Sequence, residues 1–219
     1  MEIEKIRFAS KNHRGVFWVN HQLKKGFLCI PKISSSGIRE QFKFAEKMSY
    51  ENIPKDYEIF AIIRRPIQRF ISAYIEAIQD CKQFPGGRFK YNLNLNNEKI
   101  EHLDKLVNDK NLTDIDKFKK YINLIKNEWG FFEPHCIPQI IYLTNKNNKI
   151  HNNLKIFRLE NISNLEEYLG NKIKKTNTCE NLDLKKTLLD YIDKNEDLKK
   201  NIQELYKDDI SFYNDNLNK

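Results

Sequence analysis

Between residues 16 and 63 the chain alternates short apolar runs with polar turns. Val16 to Asn20 and Phe27 to Ile30 have the length and the β-branched or aromatic character of strands, and the polar interval His21 to Gly26 predicts a hairpin between them. Ile38 to Lys47 predicts a helix, and the unbroken apolar run Ile59 to Ile63 predicts a strand buried on both faces. Beyond it Ile67, Phe70, Ile71, Tyr74 and Ile78 recur at helical spacing, so a helix is expected from Pro66, a residue suited to a first helical position, to Asp80. Strands separated by a helix pair in parallel. From Cys81 to Thr113 the pattern dissolves into Gly, Asn and Lys, which predicts an insertion or flexible lid at 81–113. Asp114 caps a predicted helix to about Glu128, Ile140 to Leu143 and Leu154 to Leu159 read as strands around a polar turn, and Ile162 to Leu169 reads as a helix. Leu198, Ile202, Leu205 and Tyr206 give a last long helix one apolar face. The expectation is a single α/β domain over 1–219, with a central, mostly parallel sheet flanked by helices.

Two of the strand ends carry chemistry. After Phe27 to Ile30 comes Pro31-Lys32-Ile33-Ser34-Ser35-Ser36-Gly37, a Lys, three hydroxyls and a glycine ahead of a helical pattern. Such a turn aims backbone N–H groups and a helix dipole at one spot, where an anion is stabilised. A serine before a helix is also an ordinary cap. The segment is not a Walker A loop, in which Lys-Ser or Lys-Thr follows the glycine-rich turn. The second strand ends in Arg64-Arg65-Pro66, and Arg65, Arg69 and Ser72 follow at i, i+4 and i+7, so guanidiniums suited to phosphate oxygens gather beside it.

At these residues the chain resembles the sulfotransferases that use 3′-phosphoadenosine-5′-phosphosulfate (PAPS), in particular their carbohydrate branch. Pro31-Lys32-Ile33-Ser34-Ser35-Ser36 is similar to that family's 5′-phosphosulfate loop, with Ser34 where a Gly or Ala is usual. Arg64-Arg65-Pro66-Ile67-Gln68-Arg69-Phe70-Ile71-Ser72-Ala73-Tyr74 is similar to its 3′-phosphate motif, with Arg65 in place of an Asp that helps order the loop. His135-Cys136-Ile137-Pro138-Gln139, Phe157-Arg158-Leu159-Glu160-Asn161 and Leu205 to Tyr213 resemble further family blocks, so the likeness spans about Gly26 to Tyr213. The resemblance implies a three-layer P-loop-like fold, PAPS as sulfuryl donor, no metal, and a hydroxyl-bearing acceptor, a carbohydrate. It implies that Lys32, Ser34, Ser35, Ser36 and Gly37 hold the 5′-phosphosulfate and that Arg64 and Ser72 hold the 3′-phosphate; Asn177 and Thr178 resemble a loop that closes over the donor. Lys32 would also act on the leaving oxygen. His135 is the candidate general base, because an imidazole can accept a proton near neutrality, and His21 is the reserve. His13, His102 and His151 lie in polar segments and are expected at the surface, and Glu160 is expected as a structural partner at a strand end.

The formal net charge of +8, from 38 Lys and Arg against 30 Asp and Glu, favours anionic partners without choosing among them. Much of the excess is Lys mixed with Asn, as in Asn145 to Lys149, and no aromatic-interleaved module of the nucleic-acid-reading kind is present in the sequence. Cys29, Cys81, Cys136 and Cys179 are scattered without metal-ligand spacing and read as free thiols. No apolar stretch approaches the ~20 residues of a membrane span, and the first residues lack the apolar centre of a secretory signal, so a cytoplasmic location is expected. A P-loop kinase would share such a cradle but should show a Walker A Lys and an acidic Mg²⁺ ligand. A non-enzymatic polyanion or nucleic-acid binder would show weak, steeply salt-dependent affinity.

Overall fold

The computed structural model describes residues 16–33, 35–83, 96–131, 134–145, 147, 149–173 and 181–216. In chain order its main elements are β1 (Val16–Asn20), β2 (Lys25–Leu28), α1 (Ser35–Gln41), β3 (Glu46–Ser49), β4 (Glu58–Ile63) and α2 (Pro66–Gln83). They continue with α3 (Asn97–Asn108), α4 (Asp114–Asn123), α5 (Gln139–Leu143), β5 (Leu154–Arg158), α6 (Ile162–Leu169), α7 (Leu182–Lys194), α8 (Glu196–Leu205) and α9 (Lys207–Asp215). The chain divides into two compact units. One falls within Ser10–Pro66, Pro138–Thr178 and Asp208–Lys219, and the other takes in Ile67–Ile137 and Cys179–Lys207.

The first unit is a mixed α/β body built on a five-stranded sheet of order β3-β1-β2-β4-β5. β1 pairs antiparallel with β2 and with β3, whereas β2 with β4 and β4 with β5 are parallel, so only β1 opposes the others in direction. The expected hairpin is there, with Lys24 of its turn at φ 49°. Alternation places Phe17 and Val19 of β1 in the core, while Ile59 to Ile63 of β4 are all buried, as a central parallel strand requires. Phe27 stacks on Phe60 with ring centroids 4.9 Å apart, and Phe44 packs against both. A side chain at Gly26 would meet Ile59 Cγ2 at 3.2 Å, so the glycine lets β2 lie close to its neighbours.

Three expectations for this unit need correction. The helix predicted to Lys47 stops at Gln41: Lys43 adopts φ 51°, its N–H donates to the Glu40 carbonyl, and the Phe44 N–H donates to the Arg39 carbonyl at 2.9 Å. That is the Schellman closure, made with Lys where Gly is usual, and it frees Glu46–Ser49 to become the edge strand β3. Ile140 to Leu143 is helix rather than strand, since Pro138 precedes it and its first N–H groups are capped from elsewhere in the chain. His151, expected at the surface, is only 5% exposed: its ring lies 4.5 Å from Tyr50 and edge-on to Phe17, neither ring nitrogen has a hydrogen-bond partner, and burial lowers its pKa.

The second unit is helical. Phe70 and Tyr74 of α2 pack with Phe118 and Tyr121 of α4, and Phe70 also meets Tyr206. Within the expected insertion, 97–108 forms α3, whose Leu103, Leu106 and Val107 are buried, and 84–95 lie outside the described residues. Thr113, not Asp114, caps α4, accepting from the Asp116 N–H at 3.1 Å; the helix widens into a π-helical turn at Leu124–Trp129. Buried Lys117 donates to the Val107 carbonyl at 2.7 Å, satisfying the end of α3. Among the described residues Cys29 and Cys136 are thiols outside any disulfide, and no helix is long and apolar enough to cross a membrane.

At the end of the sheet where β2 and β4 begin, Glu58 accepts from Lys25 at 2.5 Å and from Lys155, and both ammonium groups lie over the Tyr168 ring, at 3.8 and 4.8 Å. Hydrogen bonds from Lys155 and Lys25 hold the Glu58 pKa down at about 2, against an ordinary 4.5. A carboxylate whose pKa is depressed on folding stabilises the fold above its unfolded pKa and loses that contribution as pH falls through its folded one. Denaturant titrations between pH 5.5 and 2.5 should therefore show a steeper loss of stability for the wild type than for Glu58→Gln. Parallel profiles would show that the cluster contributes nothing.

Candidate active site

The turn after β2 is shaped by burial on both sides of one lysine. Ile30 and Ile33 are fully buried, and Lys32 between them takes a left-handed conformation with φ 67°. A non-glycine residue held there costs about 1–2 kcal/mol, and such strain persists only when the surroundings impose it. Ser34 lies outside the described residues, Ser35 is the first residue of α1, and Ser36 and Gly37 follow in its first turn.

The second basic turn is tied to the first. The Arg64 guanidinium donates from Nη1 to the Lys32 carbonyl at 3.2 Å. The Arg64 backbone is held at both its polar groups by one side chain: its N–H donates to Gln139 Oε1 at 2.9 Å, and Gln139 Nε2 donates to its carbonyl at 2.8 Å. Gln139 is 2% exposed, and its own N–H and that of Ile140 donate to the two carboxylate oxygens of Asp209, each at 2.7 Å. Asp209, also 2% exposed, thus caps the start of α5 with a buried charge. The next residue is held likewise: the Arg65 N–H donates to Glu160 Oε1 at 2.9 Å, and the Tyr213 hydroxyl donates to Glu160 Oε2 at 2.9 Å. Burial, and then the bond to Glu160, raise the Tyr213 pKa. Glu160 is the structural partner that its position predicts. It and Gln139 order the turn in which Arg65 replaces an acid.

The remaining site candidates lie on other elements. His21, the reserve candidate, sits on the hairpin turn that leads into Lys25 and bonds Tyr57 at 2.8 Å and Glu46 at 2.7 Å, whereas Lys32 follows the other end of β2. In the helical unit Arg69, grouped by spacing with the anion-binding guanidiniums, is fully buried and donates to the Ile137 carbonyl at 2.8 Å. The Ser72 hydroxyl there donates to the Gln68 carbonyl at 2.9 Å. His135 lies on the 3₁₀ turn Pro134–Cys136, which is fixed by the Tyr206 hydroxyl donating to the Cys136 carbonyl at 2.5 Å and by the Arg69 bond one residue on. His102 is exposed, as expected, while His13, Asn177 and Thr178 lie outside the described residues.

The roles of Asp209 and Gln139 are what the sequence reading missed. Gln139 carried a signal, a polar residue between Pro138 and Ile140, whereas Asp209 follows Lys207 and Asp208 in a charged run that hides it.

A family model described as the sulfotransferase family matches residues 28–214, and the chain belongs to that family, which typically takes PAPS as donor. No curated protein and no solved structure matches the chain. The resemblance carried by the basic turns is thus borne out at the level of the family.

Because Lys32 is strained by its backbone, glycine should be accepted there and a β-branched residue should not. Lys32→Gly is expected to melt at or slightly above the wild-type temperature, and Lys32→Val to lose about 1–2 kcal/mol. Equal destabilisation by both, read by calorimetry, would show that the left-handed turn is unstrained.

Proposed function

We propose that the protein transfers a sulfuryl group from PAPS to a hydroxyl of a carbohydrate acceptor, within a P-loop-like frame. The observation that carries the reading is the bond from Arg64 to the Lys32 carbonyl, which joins two basic turns far apart in sequence in the β-sheet unit of a sulfotransferase-family chain. The succession β2, turn, α1, and the parallel pairing of β2 with β4 and β4 with β5, support the P-loop-like frame.

PAPS would supply a sulfuryl group on a good leaving phosphate. In transfer of this type the protein works chiefly by positioning and by stabilising spread negative charge. Lys32 neutralises the bridging oxygen as its bond to sulfur breaks. The backbone from Ser34 to Gly37 binds the 5′-phosphate, and Arg64, with Ser72 by family resemblance, binds the 3′-phosphate. Asn177 and Thr178 are assigned to the nucleotide by family resemblance alone. His135 takes the proton of the acceptor hydroxyl as the new oxygen–sulfur bond forms. The net charge of +8 suits an anionic donor.

Calorimetric titration tests the reading. 3′-Phosphoadenosine-5′-phosphate should bind roughly tenfold to a hundredfold more tightly than AMP, the value of one charged contact. Arg64→Ala should abolish that preference, and equal affinities in the wild type would overturn the assignment. Lys32→Ala should lower turnover far more than it weakens binding of the desulfated nucleotide, because its contact strengthens in the transition state. A parallel loss would make Lys32 a binding residue alone.

A further inference from the structure

The C-terminal helix α9 meets the arginine turn through two separate arms. Asp209 and Tyr213 are four residues apart and so lie on one face of the helix. Asp209 ends, through α5 and Gln139, on the backbone of Arg64, and Tyr213 ends, through Glu160, on the backbone of Arg65. Each link is 2.7–2.9 Å long, and both residues of α9 are buried, at 2% and 6% exposure.

We propose that Asp209 and Tyr213 are positioning residues for the nucleotide site, acting through Gln139 and Glu160 to aim the Arg64 guanidinium, so that α9 sets the preference for a 3′-phosphate. The inference rests on the donor-site reading above. Two properties of the arms support it. Gln139 pairs with both the N–H and the C=O of Arg64, which fixes the orientation of that peptide as a strand partner would. Asp209 in turn fixes Gln139 by its backbone, because a carboxylate that accepts two successive N–H groups locks the first turn of α5. A guanidinium on a turn without such support would sample several directions. Binding a phosphate would then require it to be ordered first.

The test is the ratio of affinities for 3′-phosphoadenosine-5′-phosphate and AMP in the full chain, measured with melting temperature for the wild type, Asp209→Asn, Tyr213→Phe and Glu160→Gln. Asparagine offers one acceptor to two N–H donors, so Asp209→Asn should cut the ratio about tenfold. Tyr213→Phe, which removes a single hydroxyl and keeps the ring, should cut it about threefold, and Glu160→Gln should keep it, since an amide oxygen still accepts from the Arg65 N–H while its NH₂ bonds the Tyr213 oxygen. In an Arg64→Ala background neither α9 substitution should alter the ratio further. If Asp209→Asn does not fold, Tyr213→Phe alone decides. Variants that lower the melting temperature or weaken both nucleotides alike, with the ratio intact, would overturn the proposal and leave α9 a packing element. A wild type without preference for the 3′-phosphate would instead overturn the donor-site reading, and the positioning role with it.

Discussion

The buried carboxylate of Asp209 is the constraint on which the basic end of the sheet depends. A charge at 2% exposure persists in a fold only when its oxygens are satisfied, and here two successive backbone N–H groups at the start of a helix satisfy them. The consequence spreads outward. With the first turn of α5 set, Gln139 is placed to engage both polar groups of Arg64, and Arg64 is placed to reach the carbonyl of Lys32. Four chain segments are thereby joined by hydrogen bonds. Such bonds specify direction as well as proximity.

The lysine turn reaches the same end by different means. Fully buried Ile30 and Ile33 anchor the chain on either side of Lys32, and the backbone between them takes up a left-handed residue. The apolar core thus supplies the strain, while the Arg64 bond to the Lys32 carbonyl fixes the turn from its polar side. In the function proposed above both features serve one donor, whose 5′-phosphosulfate and 3′-phosphate call for cationic groups at a set separation.

Much of this was legible in the chain. β4 could be read from its unbroken apolar run, the hairpin from the polar interval 21–26, and α6 from its helical spacing to Leu169, because each signal is local. What stayed hidden depends on partners distant in sequence or on an atypical residue in a special backbone state. The end of α1 carries Lys43 in the left-handed position that Gly usually marks, so the sequence reading ran the helix on into β3. α5 consists of Gln139 and the apolar run Ile140 to Leu143, whose helical state is decided by Pro138 and by Asp209, some seventy residues on. Arg69 has the spacing of an anion ligand, yet it is buried and spends a bond on the Ile137 carbonyl, which no spacing rule reveals. Lys32 and Arg64 stand out in the sequence as candidates because each follows a strand end. That one touches the backbone of the other could come only from the fold.

The most direct measurement of the central claim is a crystal structure of the chain with 3′-phosphoadenosine-5′-phosphate. The account predicts the 5′-phosphate on the turn from Lys32 to Gly37 and the 3′-phosphate on the Arg64 guanidinium, with the Gln139 bonds to the Arg64 backbone unchanged. A nucleotide bound in the reverse sense, or at another place, would contradict it.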